Sequence, residues 1–259
     1  MSSMYHEKQY LMYCAVHTLN NLFQEQWATA SLMEDIAKEL FDRDVSMRKE
    51  AGMGGMWINP YKCVVPGVGY YDINVLLEAL KLRDCHVSVH AVFNPKDPAA
   101  VARSTKNLDP RSGVRGVVVN RVTLSVLGGL VTGSHYYAII PSVRGTRPTI
   151  LHSAESEPLL STSVENDTKP SAASAAGSSE PTSEHAVRFS DGDDIVWYVV
   201  DSKAPEPELI GGAAELALHL GMEAREHQAH VFVISDGRYP EEEGGAGASS
   251  GKSEKSVGC

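Results

Sequence analysis

A glutamine stands five residues ahead of a cysteine near the start of the chain, Gln9 and Cys14, and these two residue types at that spacing could do thiol chemistry. The residues after Cys14 put Ala15, Leu19, Leu22 and Phe23 on one helical face, so Met12 to Phe23 reads as a helix that Cys14 opens. A helix N-terminus offers unsatisfied N–H groups and the positive end of the macrodipole, both of which favour a thiolate. A nearby side-chain amide can donate to the oxyanion that forms when a thiolate attacks a carbonyl. The competing reading is a cysteine buried in a helix, the usual place of a free thiol.

A nucleophilic thiol needs a histidine to take its proton, and a third group to fix that ring. Ten histidines are available. His86 and His90 fall on a segment of alternating polarity, a strand, where four residues span about 13 Å at roughly 3.3 Å each. That is too far to share a metal, so both belong to a solvated strand face. His152 and His185 border or lie in a low-complexity stretch. His219, His227 and His230 have no acidic neighbour in an obvious place. His6 precedes the helix, and His17 lies one turn after Cys14, too close in sequence to approach it from across a cleft; it reads as structural. His135 remains. It begins an apolar run, Tyr136 to Ile140, and a strand start is a rigid place to hold such a group. Another run, Ile195 to Val200, ends in Asp201. If these two strands are antiparallel neighbours, the end of one lies beside the start of the other and Asp201 falls near His135. Taken alone, Asp201 could equally be a turn residue at a strand end.

The elements that would position these groups are legible in outline. Ser31 to Glu34 reads as a capping box, followed by Leu32, Ile36 and Leu40 at four-residue spacing. The pattern breaks after Phe41, and Gly52, Gly54 and Gly55 make Ala51 to Met56 a flexible joint. Asp72 can cap a helix running through Arg83 with Ile73, Leu76, Leu77 and Leu80 inward. Strand signals follow at His86 to Ala91, Val114 to Asn120, Tyr136 to Ile140, Ile195 to Val200 and His230 to Ile234, with a short helix at Gly211 to Gly221. Helices lead and strands follow, which predicts an α+β fold. Residues 153–190, rich in Ser, Ala, Glu, Thr and Pro, cannot bury enough apolar surface to order themselves, and 241–259 is a similar tail.

The bulk composition narrows the class. The chain of 259 residues is 42% hydrophobic and 22% charged, enough for one sizeable core. A net charge of −10 argues against a nucleic-acid partner. Four cysteines without a CxxC pair make neither a disulfide framework nor a structural zinc site, so neither metal nor cofactor is expected and a reducing compartment is. Cys63 and Cys85 read as core thiols. No apolar run is long enough to span a membrane, and no signal region opens the chain. These features predict a cytoplasmic protein, compatible with the nucleus as well.

Gln9-x4-Cys14-Ala15-x-His17-x-Leu19-Asn20-Asn21, then the strand-start His135 and the strand-end Asp201-Ser202-Lys203, resembles the Josephin family of papain-like deubiquitinating enzymes. The opening Tyr5-His6-Glu7-Lys8-Gln9 carries the same resemblance. So do Asn59-Pro60-Tyr61-Lys62, Gly69-Tyr70-Tyr71-Asp72-Ile73-Asn74-Val75, and Trp197 to Lys203 with Pro207 and Ile210-Gly211-Gly212 after it. The likeness covers about residues 4–140 and 195–236 and is nearest to short members that consist of little but the Josephin domain.

The resemblance implies a papain-like α+β domain over 1–240, its N-terminal helices packed on an antiparallel sheet. It implies a helical arm at about 31–60 over the cleft, an insert at about 141–194 where the family has a short turn, and a tail at 241–259. It makes Cys14 the nucleophile, His135 the general base and then acid, Asp201 the orienting residue and Gln9 the oxyanion donor. The implied reaction is thiol hydrolysis of ubiquitin peptide or isopeptide bonds, with ubiquitin, its chains and ubiquitinated proteins as partners. Two other readings are a ubiquitin-binding adaptor with little or no activity and an unrelated papain-like peptidase or acyltransferase. The triad chemistry says acyl transfer to a thiol and nothing about ubiquitin.

Overall fold

A computed structural model of the chain describes residues 3–9, 13–55, 57–62, 70–89, 108–123, 133–144, 149–152 and 194–237. The elements in order are strand β1 (Ser3–His6), helices α1 (Cys14–Phe23), α2 (Ala30–Glu50) and α3 (Ile73–Lys81), and strands β2 (Cys85–Val89), β3 (Val114–Thr123), β4 (Gly133–Val143), β5 (Thr149–His152), β6 (Ile195–Val200) and β7 (Glu208–Gly211). Helix α4 (Ala213–Glu226) and strand β8 (His230–Asp236) complete it.

Six strands form one antiparallel sheet in the order β2-β8-β3-β4-β6-β7. Strands β1 and β5 pair separately and in parallel. The sheet's alternation divides the core. Val118, Tyr136, Ala138, Ile140 and Val200 face α1 and the other N-terminal helices, whereas Val117, Val119, Tyr137, Ile139 and Trp197 face α4. Helix α1 is buried all round, so it fills the centre of the first core. Its close approach to the sheet requires Gly116, where a Cβ would come within 2.7 Å of both Leu22 Cδ1 and the Ile139 carbonyl oxygen.

Several boundaries differ from the sequence expectation. Thr29 caps α2 in place of the expected Ser31 box: its side chain accepts the Leu32 N–H at 3.1 Å, and Ser31 lies inside the helix. Helix α2 also continues past Phe41 to Glu50, although nothing beyond Leu40 is buried. It needs no second apolar stretch, because the returning segment braces it. Asn59 Nδ2 donates to the Ala37 carbonyl at 3.0 Å, the Tyr61 hydroxyl to Asp44 at 2.5 Å, and Lys62 pairs with Glu34. Asp72 caps α3, but that helix ends at Lys81 and α4 runs five residues beyond Gly221. The resemblance implied an insert from about residue 141, yet the residues just after that point belong to strands. Pro141, Ser142 and Val143 stay on the ladder opposite Trp197, Val196 and Ile195, and Thr149–His152 form β5. His90, Cys63, His185, the core of the insert and the tail lie outside the described residues.

Candidate active site

Cys14 is the first residue of α1 and is buried, with its Sγ 4.0 Å from the Ser134 carbonyl oxygen. No side chain caps this helix and no acidic residue sits in its first turn. The positive end of the helix therefore faces the thiol without competition.

His135 comes from a different layer. In the β4–β6 ladder Ala138 pairs with Val200, so the next step outward brings Asp201 level with Tyr137, a diagonal neighbour of His135. His135 Nε2 lies 2.9 Å from each Asp201 carboxylate oxygen. A carboxylate only accepts, so Nε2 carries the proton. Nδ1, the other nitrogen, is buried without a hydrogen-bond partner among the described residues, and the Cys14 thiol is close enough to favour the protonated ring. Burial alone would lower the His135 pKa; the bond to Asp201, the neighbouring Cys14 thiol and the Asp201 charge outweigh it and raise it above the ordinary histidine value. Burial works the opposite way on Asp201. Its bond to His135, the His135 charge and the Lys203 N–H at 2.9 Å together hold it below the usual carboxylate range.

Gln9 follows β1. Its N–H donates to the Ser202 carbonyl at 2.7 Å, and the Ser202 hydroxyl donates to Gln9 Oε1 at 3.4 Å. That bond turns the NH2 end of the side-chain amide away from Ser202. Above the same region the Tyr70 hydroxyl donates to Ser134 Oγ at 3.2 Å, bringing the segment before α3 against the start of β4.

Three residues that sequence reasoning left without a role support this arrangement. His6 Nε2 is 3.0 Å from the Asp201 carbonyl oxygen. Burial, with the nearby His152 and Lys8, lowers the His6 pKa against the opposing Asp201 contacts, so the ring is neutral. Glu7 is buried and meets His17 Nδ1 at 3.1 Å. Asn21 holds the Glu7 backbone from both sides, accepting its N–H at 2.7 Å and donating to its carbonyl at 3.4 Å. All three lie in the two motifs quoted for Gln9 and Cys14, which was the available signal. Two other histidines have surroundings of their own. His86 is exposed on β2, and His219, expected to lack an acidic neighbour, lies 4.0 Å from Glu223 on α4. Glu223 is itself bound to Arg121 across the second core. Among the described residues no group of three His, Cys, Asp or Glu side chains could hold a metal ion.

A cysteine at an uncapped helix start, an imidazole beside it and a carboxylate behind the imidazole are the residue types that thiol hydrolysis uses. The Josephin family model matches residues 9–235, and the chain belongs to the Josephin family. It is 30% identical over 139 residues to a Josephin-like protein of Arabidopsis thaliana, covering 53% of this chain and 36% of that protein. It is 37% identical over 79 residues to Josephin-2 of Mus musculus and 34% identical over 79 residues to Josephin-2 of Homo sapiens. Each of those stretches covers 30% of this chain and 35% of the relative. The chain thus spans about a third of the length of the curated relatives it matches. Among the described residues, four helices and a mostly antiparallel sheet agree with an α+β papain-like fold. Among the described residues no helix is long and apolar enough to cross a membrane.

Proposed function

We propose that this protein is a cysteine-type deubiquitinase that hydrolyses peptide and isopeptide bonds at the C-terminus of ubiquitin, working in the reducing cytoplasm. The observation that carries the chemistry is the Asp201–His135 contact at 2.9 Å, with the second ring nitrogen left for Cys14. Cys14 and His135 form a thiolate–imidazolium pair. The thiolate attacks the carbonyl carbon, and the Gln9 amide with the Cys14 N–H receives the oxyanion, each good donor contributing roughly 3–4 kcal/mol in comparable sites. His135 then protonates the departing lysine amine. Water, deprotonated by the same ring, hydrolyses the thioester and frees the ubiquitin carboxylate.

Membership of the Josephin family supports ubiquitin as the substrate. So does the arm formed by α2 and the segment after it, which presents Met47, Met53, Trp57 and Ile58 to solvent. The Lys62–Tyr71 bridge joins that segment to the one carrying Tyr70, whose hydroxyl reaches Ser134 at the site.

The test is reaction with ubiquitin carrying an electrophile at its C-terminus. Wild type should be captured covalently, and Cys14→Ala should stay unlabelled while keeping its fold and losing hydrolysis of ubiquitin amides. Reversible binding of wild type without capture would mean an adaptor, and full hydrolysis by Cys14→Ala would overturn the assignment.

A further inference from the structure

The segment Tyr5-His6-Glu7-Lys8-Gln9 lends Gln9 to the proposed oxyanion site, yet His6 is the more deeply buried of the two, with no exposed surface at all. Its Nε2 must carry the proton, because the Asp201 carbonyl it meets at 3.0 Å can only accept. In a neutral ring Nδ1 is then a bare acceptor, and it is buried without a partner among the described residues. A hydrocarbon side chain would fill the same space with no unsatisfied polar atom. Packing alone therefore gives no reason for a histidine here; the bond at Nε2 does.

That bond acts at a point the sheet does not control. The β4–β6 ladder stops at Val200, one residue before Asp201. The Asp201 carbonyl also accepts the Ala204 N–H at 3.0 Å, but this is a turn bond that moves with the turn. His6 reaches it from 195 residues away, on a strand outside the main sheet. The same N-terminal segment is fixed to α1 by Glu7 through His17 and Asn21, so it bridges the helix that carries Cys14 and the strand end that carries Asp201.

We propose that His6 is a positioning residue of the triad: by donating to the Asp201 carbonyl it sets where the Asp201 carboxylate meets His135. The proposal rests on the Cys14–His135–Asp201 reading. The groups around His6 are His152 on β5, whose ring centroid is 5.9 Å away, with Lys8 and Asp201. Those around His135 are Asp201, Cys14 and Lys203. A displaced Asp201 supports the imidazolium less well, and the His135 ring then stays protonated over a narrower pH range beside Cys14.

The experiment needs no ubiquitin. The rate of Cys14 alkylation by iodoacetamide is measured against pH on the full chain, by mass spectrometry of the Cys14 peptide. His6→Phe, which keeps the ring and loses the donor, should move the onset of reactivity to higher pH and slow alkylation at pH 6 roughly fivefold, the factor one hydrogen bond is worth. His6→Leu, a second variant without a donor, should do the same, and His6→Gln, which keeps an N–H at similar reach, should stay near wild type. Asp201→Ala should shift the onset by itself, and His6→Phe should add nothing in that background. Wild-type onsets in both donorless variants overturn the proposal. So does an equal shift in His6→Gln, or a His6→Phe effect undiminished beside Asp201→Ala. Failure of the ubiquitin reading would show separately, as absent probe capture by a wild-type protein whose Cys14 still alkylates.

Discussion

Two buried histidine–carboxylate pairs flank Cys14, and only one of them is arranged for chemistry. His135 meets Asp201 at 2.9 Å and His17 meets Glu7 at 3.1 Å. Each is an imidazole against a carboxylate, through Nε2 in His135 and through Nδ1 in His17, and the backbone that carries each pair differs as well. His17 rides on α1 with Cys14, and its carboxylate comes from the strap that fastens β1 to that helix. Any force on this pair moves nucleophile and imidazole together. His135 and Asp201 belong to the sheet and approach Cys14 from across the interface between two layers. Their side chains also differ in access, since Asp201 is 17% exposed and Glu7 only 8%. The rings themselves are about equally buried, at 6% for His135 and 9% for His17, so the layers that carry the pairs separate them more than access does.

The sharpest way to break this contrast is to remove each ring in turn. His135→Ala should lower hydrolysis of a ubiquitin amide by 10² to 10⁴, roughly the range for loss of a positioned general acid–base. His17→Ala should leave turnover per folded molecule within a few-fold of wild type. Its cost should appear in denaturant unfolding as about 3 kcal/mol, because Glu7 stays buried without its partner. If His17→Ala abolished turnover in a fully folded protein, the two pairs would have to exchange roles.

Asp201→Asn is the next step down. An amide can still accept from the His135 N–H but carries no charge, so turnover should fall on the order of tenfold, the value of about one unit of imidazole pKa. The milder loss relative to His135→Ala separates orientation from proton transfer, and equal losses would give the carboxylate a larger part.

Stability should report the same pair through pH. His135 is raised in the folded state, so its contribution is full below the ordinary histidine pKa of about 6.5 and is lost as pH rises through the folded value. Asp201 is lowered, so its contribution is full above about 3.9 and is lost as pH falls through its folded value. The Tm gap between wild type and Asp201→Asn should therefore be widest between about pH 4 and 6.5 and narrow on both sides. A gap that kept widening towards pH 9 would contradict a charge pair.

How much of this could be read from the chain depended on the kind of signal. The juxtaposition of His135 and Asp201 was legible because strand adjacency depends on apolar runs, and the long segment between them adds only a slowly growing closure entropy. Helix α2 was read too short because its second half is held by polar bonds from Asn59, Tyr61 and Lys62, contacts that leave no apolar period. Strands β1, β5 and β7 were not read at all. Each has four residues, too few for alternation to show. His6 and Glu7 were visible as motif residues, but their work depends on pairing with Asp201 and His17, which no local pattern encodes.

The smallest expected effect concerns the oxyanion side of the cleft, where the comparison returns in miniature. Two of the bonds that hold Gln9 go to one residue, Ser202. Its backbone N–H to the Ser202 carbonyl fixes where the residue sits, and the Ser202 hydroxyl to Oε1 fixes which way the amide turns. Ser202→Ala removes only the second. The chain path should stay, while part of the population presents carbonyl oxygen instead of NH2 to the developing charge. Because that charge exists only in the transition state, kcat should fall about threefold, the order of one weak hydrogen bond, with KM unchanged. Gln9→Ala should cost about a hundredfold, and Ser202→Ala should add nothing on that background. A threefold loss that persisted without the Gln9 side chain would mean that Ser202 acts on its neighbour Asp201, and the orienting and oxyanion sides of the cleft would then be one coupled unit.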